Sequence, residues 1–265
     1  MTNPLFSIIF VNYQSAESLQ QSLAALQQPL QKISHEIIVI NNDVQEQEKI
    51  DLLQKKFGLI VAHLSANFGF AKANNVGAKR AKGEILLFLN PDTLWIRGTP
   101  FSLAACLRSQ GEAILGLRLL GPDGTDEAWS CGELPTLGQL FWRKITLWTK
   151  NTPWKEKTFQ RVGWVSGAGL ALYRTTYQKL EGFDESYFLY YEDVDLAARA
   201  RQFGINTFRF PFLVFSHSRG QSHASLQSMK RAYFIGQRIY FSRHRSLIEY
   251  KILSFLHGFF QNAHL

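Results

Sequence analysis

Cysteine is scarce in this sequence, which has only Cys106 and Cys131. Two thiols can form neither a disulfide framework nor a zinc site of repeated ligand spacing, and this suits a reducing compartment. No apolar run approaches the roughly 18–20 residues that a bilayer span needs. The opening stretch, MTNPLFSIIFVNYQ, has no basic region and no small-residue cleavage pattern, so a secretory leader is not expected. No GxGxxG follows the first apolar run, and no GxxxxGKS/T occurs, which removes the dinucleotide-fingerprint and P-loop readings. GxSxG is absent, and neither cysteine has a catalytic setting. Acid is in short supply as well: 21 Asp and Glu face 29 Lys and Arg, for a net charge of +8. Residues 219–265 carry +6 of that excess, with Arg219, Lys230, Arg231, Arg238, Arg243, Arg245 and Lys251 against Glu249. Positive charge can serve solubility, or it can attract nucleic acid, anionic lipid or phosphate-bearing substrates.

Hydrophobic residues make up 46% of the 265, with aromatics at 14%, enough for a core in one large domain or two closely packed lobes. The first half alternates regularly. Apolar runs at 5–11, 36–40, 58–64 and 84–89 predict strands buried on both faces. Helical spacing is found at 15–28, with Leu19, Leu23 and Leu26 on one stripe and Ser15 placed to cap the start. Further helices are predicted near 46–57, at 70–81 and at 100–110. Such alternation predicts a parallel sheet covered by helices on both sides.

Ligands of such sheets bind beyond the carboxyl ends of the strands. Those ends read Asn12-Tyr13, Asn41-Asn42-Asp43, Asn67-Phe68-Gly69 and Asn90-Pro91-Asp92. Loop polarity explains any one of them, but Asn or Asp at all four is more than loops require. Asp92 is either an Asx-turn acid after proline or a carboxylate held out for a hard cation. Farther on, the FLYYEDVD stretch packs Glu192, Asp193 and Asp195 into four residues at a predicted helix start. There the helix dipole favours acids. Compensation of the dipole is one reading, and a general base at the edge of an aromatic pocket is the other. His217 ends an apolar strand and is either structural or a ligand.

The ordered set SIIFVNYQSAESLQQSL, EIIVINND, NFGFAKANNVGAKRAKGEILLFLNPDT, VSGAGLALYR and GFDESYFLYYEDVDLAAR resembles the inverting glycosyltransferases of family 2, in particular the bacterial rhamnosyltransferase-like branch. That branch builds O-antigen and capsule sugars. The resemblance spans roughly residues 5–220. It implies an α/β GT-A fold, with a mostly parallel central sheet, helices on both faces and an acceptor-side lobe. Residues 1–218 would be one catalytic domain, with 1–114 binding the nucleotide sugar and 115–218 facing the acceptor. Residues 219–265 would form a basic amphipathic helical tail. A dTDP- or UDP-linked sugar donor, a glycan or lipid-linked acceptor and a divalent Mn²⁺ or Mg²⁺ are implied as well.

Carried over residue by residue, the metal-binding DXD element falls on Asn90-Pro91-Asp92, which gives Asp92 the metal and diphosphate role. Asn90 stands where many relatives have a second acid. The base falls on the Glu192-Asp193 pair, with Asp193 preferred. The late histidine falls on His217, a further metal ligand. Val11, Asn12 and Tyr13 would cradle the base, and Asn67, Gly69, Phe70 and Asn74 match the segment near nucleotide and ribose. Gly167 and Ala168 match the acceptor-side turn, where small residues let backbone approach the sugar. One departure stands out: family members usually carry Asp-Asn after strand two, with the Asp reading a pyrimidine, and here the pair is Asn41-Asn42. An Asn amide can still accept and donate toward a base.

Five of the six tryptophans (Trp129, Trp142, Trp148, Trp154, Trp164) lie in residues 115–165. They either stack on sugars, with Trp164 beside the acceptor turn, or close the lobe. The tail mixes cations with Phe and Ile and is either a membrane-interface helix or an ordinary packed one. A cytoplasmic protein at the inner face of a bacterial inner membrane is the expectation. Two rivals stand beside the transferase reading. A sugar nucleotidylyltransferase would want a glycine-rich loop after strand one, and NYQSAESL offers none. An inert nucleotide- or glycan-binding module is kept alive by Asn41, while Asp92 and Glu192-Asp193 speak against it. No nucleic-acid motif is recognisable, so nucleic acid is not an expected partner.

Overall fold

A computed structural model describes residues 3–145, 153–218 and 226–262. Trp148 and Arg219, and the side chain of Trp142, lie outside what is described. The chain runs β1 (Phe6–Asn12), α1 (Ala16–Leu30), β2 (His35–Asn41), α2 (Gln47–Phe57), β3 (Ile60–His63), α3 (Phe70–Arg80), β4 (Ile85–Leu89) and β5 (Thr93–Arg97). Then follow α4 (Pro100–Gln110), β6 (Ala113–Leu120), β7 (Cys131–Gly132), α5 (Leu137–Ile145), β8 (Gln160–Val162), β9 (Trp164–Val165) and β10 (Gly169–Tyr173). The last elements are α6 (Arg174–Lys179), α7 (Glu192–Gln202), β11 (Asn206–His217), α8 (Leu226–His244) and α9 (Leu247–Asn262).

One nine-stranded sheet organises the molecule, in the order β3-β2-β1-β4-β10-β6-β11-β5, with β8 added to β11. Every residue of β1 and β4 is buried, as strands apolar on both faces require. On one side α1 lays Leu19, Leu23 and Leu26 into a core with Phe6, Ile8 and Phe10. On the other, Ala71 and Ala78 of α3 pack with Ile9, Ile38 and Ile40. The pairs β3-β2, β2-β1 and β1-β4 are parallel, as the alternation predicts. The second half is mixed: β10 runs antiparallel to both β4 and β6, and β11 antiparallel to β5 and β8. Reversal at β10 matters for the site, because its first residue, Gly169, pairs with Leu89 at the carboxyl end of β4. The turn before β10 therefore lands on the rim that holds Asn90 and Asp92.

Two local expectations change. Ser15 stands at the N-cap of α1 but makes no side-chain capping bond. Its hydroxyl donates to Asn12 Oδ1 (3.1 Å), and the Glu46 carboxylate takes the N–H groups of Ser15 (2.9 Å) and Ala16 (3.2 Å) instead. A carboxylate is the stronger acceptor at a positive helix end, and the chain folds Glu46 back from the start of α2 to provide it. The edge strand β5, directly after Asp92, was not foreseen. Its outer residues Trp95, Ile96 and Arg97 grow progressively exposed, so it lacks the doubly buried pattern of its neighbours.

The basic tail packs on the body where it is described. Tyr240, Phe241 and Leu253 form a core cluster with Tyr187, Tyr191, Val194 and Ala198.

Candidate active site

The rim is built from strand ends. In register, Asn12 of β1 pairs with Asn41 of β2, and Asn41 with His63 of β3. Their side chains join into a row. Asn12 Nδ2 donates to Asn41 Oδ1 (2.9 Å), Asn41 Nδ2 donates to the Asp43 carbonyl (2.7 Å) and lies 3.1 Å from His63 Nδ1, and His63 Nε2 meets Asp51 (2.9 Å). Asn41 is fully buried with both ends of its amide engaged, so it presents no polar atom to a base. The unengaged acceptor nearby is Asp43, whose Oδ1 caps the next turn through Gln45 N while its Oδ2 is buried without a hydrogen-bond partner. Val11 is buried at the same strand end and Tyr13 is half-buried just beyond it.

Asn42 clamps the next loop. Its Oδ1 accepts from Phe68 N (2.9 Å), and its amide donates to Asn67 Oδ1 (2.9 Å) and the Gly69 carbonyl (3.3 Å). Gly69 has φ +84°, and a Cβ there would run into the Phe188 carbonyl, which accepts the Phe70 N–H at 2.7 Å. Only glycine fits, so the loop after β3 and the loop before α7 touch backbone to backbone. Asn74 is turned inward along α3, bonding the Phe70 carbonyl (3.0 Å), and supports that helix.

Asp92 and His217 meet at the other side. Strand β11 ends with His217 opposite Thr93, the first residue of β5. His217 Nε2 is 3.3 Å from Asp92 Oδ1 and 3.1 Å from Asn90 Nδ2, and its Nδ1 is 2.8 Å from Glu127 Oε2. Burial would lower the pKa of this imidazole, but bonds to Asp92 and Glu127 outweigh it and push it up to about 9. Glu127 is the participant that sequence reading missed. Its only signal was a pair of acids, Asp126-Glu127, in a loop rich in turn residues. Asp126 takes a different partner set, Arg118 (2.6 Å) and Arg209 (3.1 Å).

The acid pair opens α7, preceded by Tyr190 and Tyr191, both left-handed at φ 70° and 73°. Asp193 Oδ2 accepts the Gly167 N–H (2.9 Å) and Oδ1 accepts its neighbour's, Val194 N (2.8 Å). One residue on, the Ala168 carbonyl accepts the Asn90 N–H at 3.1 Å. Consecutive residues of one turn thus hold the acid pair and the Asn90-Pro91-Asp92 turn together. Burial pushes Asp193 up to about 6, against the two N–H bonds that favour its charge. Glu192 is raised well above the ordinary carboxylate range, first by burial and then by the Asp193 charge, and its Oε2 has no hydrogen-bond partner. Asp195 points elsewhere: His244 (2.6 Å) and Arg199 (2.7 Å) outweigh burial and lower its pKa.

Trp164 lies beside the Gly167-Ala168 turn in sequence but is not an open platform. Its indole N–H is buried without a partner, and the ring leans on Gly132. Trp129 is the more exposed ring at 44%, and it lies tilted by 43° against Trp154 with centroids 4.8 Å apart. Its chain neighbours reach both sides of the site, Glu127 through His217 and Ser130 through the Ser166 N–H.

Among the described residues no group of three His, Cys, Asp or Glu side chains forms a complete metal cage. Asp92 and His217 offer one oxygen and one nitrogen, a partial set that suits a hard or borderline cation taking its remaining ligands from a diphosphate and water. Among the same residues no helix is long and apolar enough to cross a membrane.

A parallel first half, an antiparallel return strand and a rim of one aspartate, one histidine and a buried acid pair are the make-up of a glycosyltransferase of the GT-A fold. Residues 7–167 match "Glycosyl transferase family 2", and the chain belongs to that family. It is 24% identical over 260 residues to the Haloferax volcanii low-salt glycan biosynthesis hexosyltransferase Agl10, covering 94% of this chain and 81% of that one. It is 31% identical over 148 residues to the Mycobacterium tuberculosis N-acetylglucosaminyl-diphospho-decaprenol L-rhamnosyltransferase, covering 52% of this chain and about half, 48%, of the relative. Among solved structures, GalNAc-T7 with UDP, GalNAc and Mn²⁺ superposes with a TM-score of 0.66 at 15% identity, over 90% of this chain and 48% of that one. Staphylococcus aureus TarS 1–349 with UDP-GlcNAc gives 0.58 at 21% identity, over 88% and 64%. At these identities the two structures establish the fold.

Proposed function

We propose that this protein is an inverting glycosyltransferase that moves rhamnose or another hexose from a dTDP- or UDP-linked donor to a hydroxyl of a glycan or lipid-linked acceptor. The observation that carries the reading is the Gly167-Ala168 turn, which ties Asp193 to the Asp92 arm through adjacent backbone groups. Inversion needs a base on one face of the sugar and charge stabilisation at the leaving group on the other, and no covalent nucleophile. Asp193 fills the first role. It accepts the acceptor hydroxyl proton as that oxygen attacks the anomeric carbon, and its raised pKa makes it a competent proton acceptor near neutrality. Glu192 is raised well above the ordinary carboxylate range by burial and the Asp193 charge, and its Oε2 has no hydrogen-bond partner, so Asp193 is the preferred member of the pair.

Asp92 and His217 would hold a Mn²⁺ or Mg²⁺, which supplies positive charge for the departing diphosphate. The nucleotide lies over the ends of β1 and β2. There Asp43, whose Oδ2 has no hydrogen-bond partner, is a candidate acceptor for a pyrimidine N–H, a role that Asn41, with both ends of its amide bonded, is less free to take. Gly69 and Phe70 line the ribose side, Asn67 and Asn42 fix that loop, and Trp129 offers the sugar-facing ring.

The helical hairpin α8–α9 is the proposed membrane contact. Ile248 (70% exposed), Ile252 (43%) and Phe255 (75%) form an outward stripe at helical spacing, with the exposed Lys251 among them. Such a stripe suits an anionic lipid surface, where a lipid-linked acceptor would be found.

The deciding experiment is a panel of dTDP- and UDP-sugars with Mn²⁺ or Mg²⁺, reading nucleotide diphosphate release and the anomeric configuration of the product. Retained configuration, or full turnover by Asp193→Asn, would overturn the mechanism. Turnover unaffected by EDTA and by Asp92→Ala would remove the cation from it.

A further inference from the structure

We propose that Glu127 is the positioning residue that holds His217 as a cation ligand beside Asp92, and this inference rests on the cation reading above. Glu127 comes from the loop between β6 and β7, far in sequence from either partner, yet it is buried and its backbone is pinned on both sides. Its N–H donates to the Leu119 carbonyl (2.9 Å), and its carbonyl accepts the Ser130 hydroxyl (2.9 Å). The carboxylate is thereby fixed 2.8 Å from His217 Nδ1.

That contact decides what the rest of the ring can do. As a cation ligand the ring must be neutral, the cation standing in place of the proton that Asp92 otherwise favours on Nε2, and a neutral imidazole has one N–H and one lone pair. With Nδ1–H donated to Glu127, the lone pair is on Nε2, the atom that faces Asp92 Oδ1 at 3.3 Å. The Asn90 amide, its Nδ2 3.1 Å from the same nitrogen, donates to that lone pair in the absence of a cation and so favours the same tautomer. Oxygen and nitrogen donors then converge on one point at the rim. Without the carboxylate, the other tautomer would direct an N–H at the cation, and the ring would lose the bond that sets its rotation. A carboxylate behind a ligating histidine both orients the ring and strengthens its donation, and losing such a partner typically weakens metal binding about 10- to 100-fold. No neighbouring acid can stand in for it. Asp126, the adjacent residue, is committed to Arg118 and Arg209.

A purely structural ion pair would have the same geometry, tying the β6–β7 loop to β11. Metal affinity separates the two. The experiment is Mn²⁺ titration of the full chain in the presence of UDP, with free Mn²⁺ read by electron paramagnetic resonance and folding checked by the thermal midpoint. Glu127→Ala is expected to weaken Mn²⁺ binding about 10- to 100-fold. Glu127→Gln keeps an acceptor for Nδ1–H and is expected to fall between wild type and Glu127→Ala, which also serves if the alanine variant does not fold. In a His217→Ala background Glu127→Gln should add no further loss, because its effect runs through that ring. Wild-type affinity in both Glu127 variants, with Asp92→Ala still losing Mn²⁺, overturns the proposal and leaves a structural pair. An equal additional loss in the His217→Ala background overturns it too. If Asp92→Ala binds Mn²⁺ as wild type does, the cation reading itself fails.

Discussion

Asp193 offers the most direct test, because its expected ionisation can be turned into a rate profile. Burial raises it to about 6, while N–H bonds from Gly167 and Val194 hold it from rising farther. A base of that pKa is ionised to roughly a tenth at pH 5 and roughly nine-tenths at pH 7. Turnover per enzyme should therefore rise about tenfold over that interval, with its midpoint near pH 6. Asp193→Asn should cost about 10²- to 10⁴-fold in kcat, with little change in KM for the donor, and should flatten the profile. The assay is the initial rate of nucleotide diphosphate release at saturating Mn²⁺ across pH 5–8. A wild-type rate that is level between pH 5 and 7 would refute the reasoning. Stability carries the opposite signature. The folded value lies above the ordinary value of 3.8, so the folded state holds this proton more tightly. Its contribution is full below about pH 4 and is lost as pH rises through about 6, a cost on the order of 2–3 kcal/mol.

Three further outcomes follow from the packing. Gly69→Ala places a methyl group against the Phe188 carbonyl at φ +84°, and should destabilise the fold by about 1–3 kcal/mol in urea unfolding and raise the donor KM. Arg209 is a buried cation held by Asp126 and the Trp154 and Glu156 carbonyls, so Arg209→Ala should cost about 3–5 kcal/mol by the same measurement. The double change Ile248→Asp, Phe255→Asp should abolish co-sedimentation with anionic vesicles and leave turnover of a water-soluble acceptor intact; unchanged co-sedimentation would remove α9 as the lipid contact.

Much of the first half was legible because β1 and β4 are buried throughout and β2 over its last four residues, so composition alone marks these strands. The rim was legible as a set of polar strand ends, and Gly69 from its place in a recurring segment. Pairing across the fold was not. Nothing in EIIVINND shows that Asn41 is consumed by Asn12 and by His63, 22 residues on. Glu127 looked like any loop acid, since its meaning depends on a histidine 90 residues away. Asn74 reads like a ligand-binding amide in its motif, and its Nδ2 also bonds the Phe70 carbonyl of its own helix, which the motif does not show. Trp164 shows the same limit in the other direction, its indole turned into the lobe.

The two left-handed tyrosines have a consequence for how this chain can be divided. Tyr190 and Tyr191 each adopt a backbone that costs an ordinary residue about 1–3 kcal/mol, immediately before the acid pair. Helix α8 is what offsets that cost. Gly236 lies so close to the Tyr190 carbonyl that no side chain fits, and Gln237 donates to the Tyr191 hydroxyl at 2.8 Å. The segment that matches the family ends at residue 167, before the acids and well before α8. Modular boundaries drawn from homology would thus cut between the Gly167 turn and the acid pair bonded to it, and leave out the helix that braces that pair. A working fragment of this protein has to extend through α8, whatever else it omits.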